Sequence, residues 1–231
     1  MAFNNSQRLS FAVVAIFFAF LALICGLYGV FTCNALQFEQ ENDDGALSVG
    51  LFGYRTKAYT VVSDEIWVSN VCVKYNELND FGYTTDKMTD SLQALAISLA
   101  VIGTVFTILS CFVPCLPTVH PLAWKGLGLM FLVCCILQGC SLLMLQSSIC
   151  LDNPVIQYLT ATENNAILST LQDPGQCRQA SGFKMSISAV VFWFVAGVIP
   201  LIVPAPSDSD DFPEPNQAAA PEKDKPEQSE D

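Results

Sequence analysis

Ten cysteines and a single histidine are the residues of this chain best equipped for chemistry, and their spacing sorts them. Cys33 and Cys72 frame one long loop, and Cys150 and Cys177 frame another. Thiols that come in even numbers per loop are the pattern of disulfides made in an oxidising compartment. Four such cysteines allow three connectivities; Cys33 with Cys72 and Cys150 with Cys177 is preferred because each bond then closes a single loop. Cys25, Cys111, Cys134, Cys135 and Cys140 fall in apolar stretches, with Cys115 just beyond one. Cys111 and Cys115 stand at the edge of such a stretch, a setting that suits S-palmitoylation, and also plain packing of a small residue. His120 is the only histidine, so no multi-histidine metal site can form. Cys111, Cys115 and His120 match no zinc-ligand spacing, and no metal is expected.

Other reaction chemistries find no footing. The chain has no phosphate-cradling glycine loop, no Gly-x-Ser-x-Gly elbow and no His-Glu-x-x-His helix. No motif places a pair of carboxylates for catalysis, so no catalytic residue or cofactor is assigned and the chain reads as a non-enzyme. Ser207 and Ser209, in Ser-Asp-Ser-Asp-Asp, are candidate phosphorylation sites for acid-directed kinases; the simpler reading is a solvated tail. The Asn4-Asn5-Ser6 sequon falls on the predicted cytosolic side and is expected to stay unmodified.

The elements that would carry these residues are unusually apolar. The chain is 52% hydrophobic and only 14% charged, against roughly 25% charged in an average soluble domain. Four windows lack Asp, Glu, Lys and Arg altogether: Leu9 to Phe38, Ser91 to Pro121, Gly126 to Leu151 and Met185 to Ser207. Each holds about 20 consecutive apolar residues, enough for a helix to cross ~30 Å of hydrocarbon. The fold expected is an all-α membrane protein, a four-helix transmembrane bundle with spans 9–31, 92–112, 126–145 and 185–203. Residues 1–8, 113–125 and 204–231 are expected in the cytosol. The loops 32–91 and 146–184 are expected outside it, because the paired cysteines require oxidising surroundings. The expected location is the plasma membrane or a secretory-pathway membrane.

No ionisable side chain lies within a span, whereas pumps, voltage sensors and proton relays place such groups at membrane depth. Among the glutamines, Gln138 near mid-span reads as a hydrogen-bond donor or acceptor to a neighbouring helix. Ala15, Ala19, Ala22, Gly26 and Gly29 share one helical face, a seam of small residues that packs inside the bundle or, alternatively, joins two copies.

The first loop mixes β-branched and aromatic residues with polar ones over Ala46 to Tyr54, Lys57 to Val62 and Glu65 to Tyr75, which predicts a small extracytosolic antiparallel β-sheet with Trp67 beneath it or at the interface. The third loop predicts a disulfide-tied cap with a short helix over Val155 to Leu171 between turn signals. Pro114, Pro117 and Pro121 predict a tight turn, and Pro200 a kink that a membrane helix tolerates. Acid collects in two blocks. The loop from Asn34 to Asp90 has ten acidic and four basic residues, and the tail after Val203 has nine acidic residues and two lysines. The tail is too poor in apolar residues to fold, and no basic patch invites nucleic acid.

Two resemblances follow from this plan. Four spans, a sheet-like first loop and a shorter third loop resemble the claudin and peripheral-myelin-protein superfamily; its first-loop Gly-Leu-Trp is matched by Gly50-Leu51-Phe52, with Arg55 where that family's first cysteine falls. The chain is also similar to uncharacterised four-span proteins of diatoms and related algae, in Gly50-Leu51-Phe52-Gly53-Tyr54, Cys72-Val73-Lys74-Tyr75, Leu137-Gln138-Gly139, Gln146-Ser147-Ser148-Ile149-Cys150 and Phe192-Trp193-Phe194. These resemblances imply a fold and no activity. The function expected is that of a non-enzymatic tetraspan organiser or adhesion protein acting through its first loop, with the lipid bilayer, a second copy or other membrane proteins as partners. The alternative is a subunit of an oligomeric cation channel or transporter drawing cations to its acidic loop.

Overall fold

The computed structural model describes residues 5–38, 47–62, 65–75, 86–116, 119–151, 153, 155–156 and 177–205. The phosphorylation candidates Ser207 and Ser209, the acidic tail beyond Ala205, the Asn4 sequon position and nearly all of the Val155 to Leu171 segment lie outside the described residues.

Four long helices make up most of the described chain: α1 (Asn5–Phe31), α2 (Lys87–Phe112), α3 (Pro121–Ser141) and α5 (Ser181–Ile202). Each is long and apolar enough to cross a membrane. All four begin four or five residues ahead of the expected spans, and in α2 and α3 a side-chain cap supports the added first turn. Asp86 is in extended conformation and its side chain accepts from the Thr89 N–H, while His120 accepts from the Leu122 N–H ahead of Pro121 at the first turn of α3. After Ser141 the chain tightens into a 3₁₀ segment, Leu142–Gln146, and the short α4, Ser148–Leu151. Helix α5 runs through the buried Pro200 and ends at Ile202.

The helices bury narrow stripes. In α2 the buried positions are Thr89, Leu92, Ala96, Leu99, Gly103, Thr107 and Ser110, recurring every three or four residues as one face of a helix must. The stripe of α1 is the small-residue seam: Ala15, Ala19 and Ala22 are fully or almost fully buried. A Cβ on Gly26 would come within 2.6 Å of Gln138 Oε1; one on Gly29 would meet Ser186 Oγ and lie 2.8 Å from the Gly182 carbonyl oxygen. The seam therefore packs inside the bundle, against α3 and α5, and does not face outward toward a second copy. Phe131 and Trp193, with rings 5.6 Å apart, fill the middle of the bundle.

A five-stranded antiparallel sheet stands on one end of the helices in the order β4-β3-β2-β1-β5. It comprises β1 (Leu36–Phe38), β2 (Leu47–Val49), β3 (Gly53–Val62), β4 (Glu65–Lys74) and β5 (Cys177–Gln179). The expected first-loop runs map onto β2, β3 and β4, with Ala46 to Tyr54 broken by the turn before Gly53. Strand β5 comes from the other long loop and pairs with β1, Leu36 opposite Gln179 and Phe38 opposite Cys177. The sheet thus unites two loops where one was expected. Leu36, Phe38, Val49 and Leu51 on its underside are buried against Leu92, Met144, Ile149 and Phe183.

Two glycine substitutions separate crowding from propensity. Gly29→Leu should destabilise the protein by about 1–3 kcal/mol through overpacking, read as the unfolding midpoint in detergent. Gly139, with nothing within 4 Å of a built Cβ, should tolerate alanine and gain about 0.5–1 kcal/mol of helix propensity. Equal responses would show that the α1 seam is not close-packed.

Candidate functional site

The sheet is held to the helices by a small number of specific contacts, and these define the most elaborated part of the molecule. The turn between β2 and β3 is one anchor. The Gly50 N–H donates to the Gly53 carbonyl at 2.7 Å, the Tyr75 hydroxyl donates to the Gly50 carbonyl at 3.1 Å, and Gln93 Nε2 donates to the Leu51 carbonyl at 2.9 Å. A Cβ on Gly50 would collide with the Thr32 carbonyl oxygen, so the approach of this turn to the end of α1 requires glycine. Leu51 is buried, and the Phe52 ring stacks on Phe31 at 5.2 Å. Tyr75 is buried and stacks with Tyr54 at 6.1 Å. Burial raises the Tyr75 phenol above its ordinary range, Asn153 partly offsets this by hydrogen bonding, and the neighbouring Tyr54 adds to it. It therefore stays a neutral hydrogen-bond donor.

Disulfides make a second set of anchors. Cys33 is bonded to Cys72, with Cα atoms 5.9 Å apart, tying the exit of α1 to β4. Cys150 is bonded to Cys177, with Cα atoms 5.6 Å apart, tying α4 to β5.

The third anchor is polar. Asp86 Oδ1 accepts from the Thr89 N–H at 2.9 Å and from the Ser148 hydroxyl at 2.8 Å. One carboxylate thereby caps α2 and fastens the start of α4 to it. Burial taken alone raises the Asp86 carboxyl; hydrogen bonds from Thr89 and Ser148, side chain and backbone of each, outweigh it and hold the carboxyl below its usual range. Across the bundle the Asn34 side chain donates to Ser181 Oγ at 2.9 Å, while the Ala180 and Gly182 N–H groups donate to the Ala35 and Asn34 carbonyls.

Inside the bundle Gln138 is fully buried, its Nε2 donating to Ser141 Oγ at 3.2 Å. Gln138 Oε1, Ser186 Oγ, Thr107 Oγ1 and Trp193 Nε1 have no hydrogen-bond partner among the described residues. Gln138 thus reaches Ser141 of its own helix, whereas a partner on a neighbouring helix was expected. Cys111, in the last turn of α2, and Cys115, just beyond its end, are exposed, and the Cys111 thiol donates to the Thr107 carbonyl. His120 acts as a helix cap. Among the described residues no three His, Cys, Asp or Glu side chains gather into a metal cage.

Sequence reasoning missed Asp86, Tyr75, Gln93 and Asn34 as a set. Asp86 alone carried a readable signal, since an Asp followed by an apolar helical run is an N-cap pattern. The others depend on contacts between segments 25 to 147 residues apart. Comparison with protein-family models and with curated proteins finds no match to this chain.

Two outcomes are expected. Reducing the unfolded protein should raise its intact mass by two hydrogens for each bond opened, and Cys150→Ser should expose Cys177 to alkylation while Cys33–Cys72 persists, at a cost of about 3 to 4 kcal/mol. Asp86→Ala should lose about 1 kcal/mol at neutral pH. Because the folded-state pKa is depressed, that contribution is complete above the unfolded aspartate value near ~3.9 and disappears as pH falls through the folded value. The stability gap to the parent should accordingly close in acid; a gap that persists there would show that the carboxylate charge is not what Ser148 and Thr89 bind.

Proposed function

We propose that this chain is a four-span integral membrane protein with both termini in the cytosol. It presents a disulfide-braced sheet outside the membrane, as a non-enzymatic organiser or adhesion protein on the plan of the claudin and peripheral-myelin-protein superfamily. The observation that carries this reading is the contrast between the two parts. The four helices turn Phe17, Val101, Ile136 and Phe194 outward, more than half exposed, and place Ala, Gly, Ser and Gln inward. That inversion suits hydrocarbon surroundings and would be costly in water. On this bundle stands a sheet fastened by two disulfides and a glycine-dependent turn, with Asp86 tying α2 to α4, far more bracing than a mere connector needs.

The sidedness follows from redox chemistry. Two disulfides belong to an oxidising lumen or exterior, so the sheet faces there and the helix ends bearing Asn5 and Ile202 face the cytosol, in the plasma membrane or a secretory-pathway membrane. The natural partners of such a surface are a second copy or another membrane protein.

Reconstitution into liposomes tests this directly. Vesicles bearing the protein with its sheet outward should cluster, and a Cys33→Ser/Cys72→Ser variant should lose at least about tenfold of that clustering, equivalent to ~1.4 kcal/mol. Both forms should resist extraction at alkaline pH. Clustering that does not depend on the protein or survives the double substitution unchanged would overturn the adhesion reading, and alkaline extraction of the folded protein would overturn the membrane one.

A further inference from the structure

At the end of the bundle opposite the sheet, α1, α3 and α5 surround a cleft of about 430 Å³. Arg8 of α1 and Lys125 of α3 stand on its rim, and Trp124, Leu201, Ile202 and Val203 supply an apolar wall. The cleft is built by specific contacts. Trp124 is buried, its indole N–H donates to the Val203 carbonyl at 2.9 Å, and Ala12, Val119 and Ala205 pack around it.

We propose that this cleft binds the headgroup phosphate of an anionic phospholipid, with Arg8 and Lys125 on the phosphate and the glycerol and acyl portion along Leu201 and Ile202. The inference rests on the membrane reading above and adds a ligand to it. Four features point the same way. The cleft lies where the apolar helices end, which is headgroup level for a spanning bundle. Among the described residues Arg8 and Lys125 are the basic residues of this end, the helix-end cations Lys87 and Lys184 being at the sheet end. Ile202 is 70% exposed and Leu201 40%, so the apolar wall continues out of the cleft onto the surface that acyl chains cover. The volume falls in the roughly 300–1,000 Å³ range of ligand sites, and basic pockets between membrane helices are headgroup sites by their charge.

The chain's own acidic segment is the competing occupant, because Asp208, Asp210 and Asp211 follow closely on Ala205. It offers carboxylates but no aromatic or large aliphatic side chain before Phe212 to cover Leu201 and Ile202. A phospholipid brings both the anion and the apolar body, and it surrounds the site at far higher density.

Native mass spectrometry of the full-length protein tests the site, with palmitoyl-oleoyl phosphatidylglycerol and phosphatidylcholine as probes. Two interfacial cations should favour the anionic lipid by about tenfold or more. Arg8→Gln/Lys125→Gln should reduce the preference to none with helix content unchanged, whereas the charge-preserving Arg8→Lys/Lys125→Arg should keep it. An equal preference in the neutralised variant would overturn the proposal. So would inorganic phosphate binding as tightly as the lipid, or carbodiimide coupling of Lys125 to tail carboxylates at saturating lipid. A protein that resists alkaline extraction yet shows no lipid preference overturns the cleft alone; one that is extracted overturns the membrane reading first.

Discussion

Close approach of the α1 and α5 backbones governs the rest of the structure. At Gly29 there is room for a hydrogen and nothing more, since a methyl group would run into Ser186 and the Gly182 carbonyl. On the proposed membrane reading, two helices gain no hydrophobic free energy by meeting, because lipid tails are as apolar as leucine; what holds them is dense van der Waals contact. Small residues supply that density by letting the two backbones come within touching distance. The consequence reaches beyond the bundle. With the end of α1 pinned to the start of α5, Asn34 meets Ser181, Ala35 meets Ala180, and the chains leave as the neighbouring strands β1 and β5.

The bundle interior balances this density against polar groups. Gln138 reaches over Gly26, where any side chain would displace it, and keeps its Nε2 on Ser141. The amide thus occupies space that α1 leaves by having glycine there. At the sheet end the logic reverses, and polar groups do the fastening. Asp86 accepts from two elements, and Tyr75, the residue after β4, reaches back to the Gly50 turn. Tyr75 does so from a buried position where its hydroxyl has to be satisfied. Apolar crowding fixes helix to helix, and hydrogen bonds with disulfides fix sheet to helix.

How legible this was depends on the range over which each feature is encoded. The four helices are local facts: a window without Asp, Glu, Lys or Arg shows them without knowledge of any partner. The two disulfides were readable because the cysteines are segregated by loop. The long strands β3 and β4 were readable from β-branched and aromatic runs. Strands β1 and β5 were not, since Leu36-Gln37-Phe38 and Cys177-Arg178-Gln179 are too short to hold a period. They are strands because α1 and α5 bring them together, which is tertiary information. The small-residue seam was readable as a packing face, but only the glycine contacts decide that it looks inward. Gly50-Leu51-Phe52 stood out as a motif whose mechanical meaning, a turn wedged on Thr32 and held by Tyr75 and Gln93, needed three segments in place.

Strand β5 also sets a schedule. Its partner β1 emerges early in synthesis, and Cys33 can meet Cys72 while only the first loop has been made. The edge of β1 beside β5 stays open until residues 177–179 have been delivered, and those residues directly precede the last helix. The sheet therefore closes only once the chain has been made through Gln179, so a complete sheet reports synthesis up to the start of α5. A quality-control system that recognises an open strand edge would hold back copies truncated before that point on that basis alone.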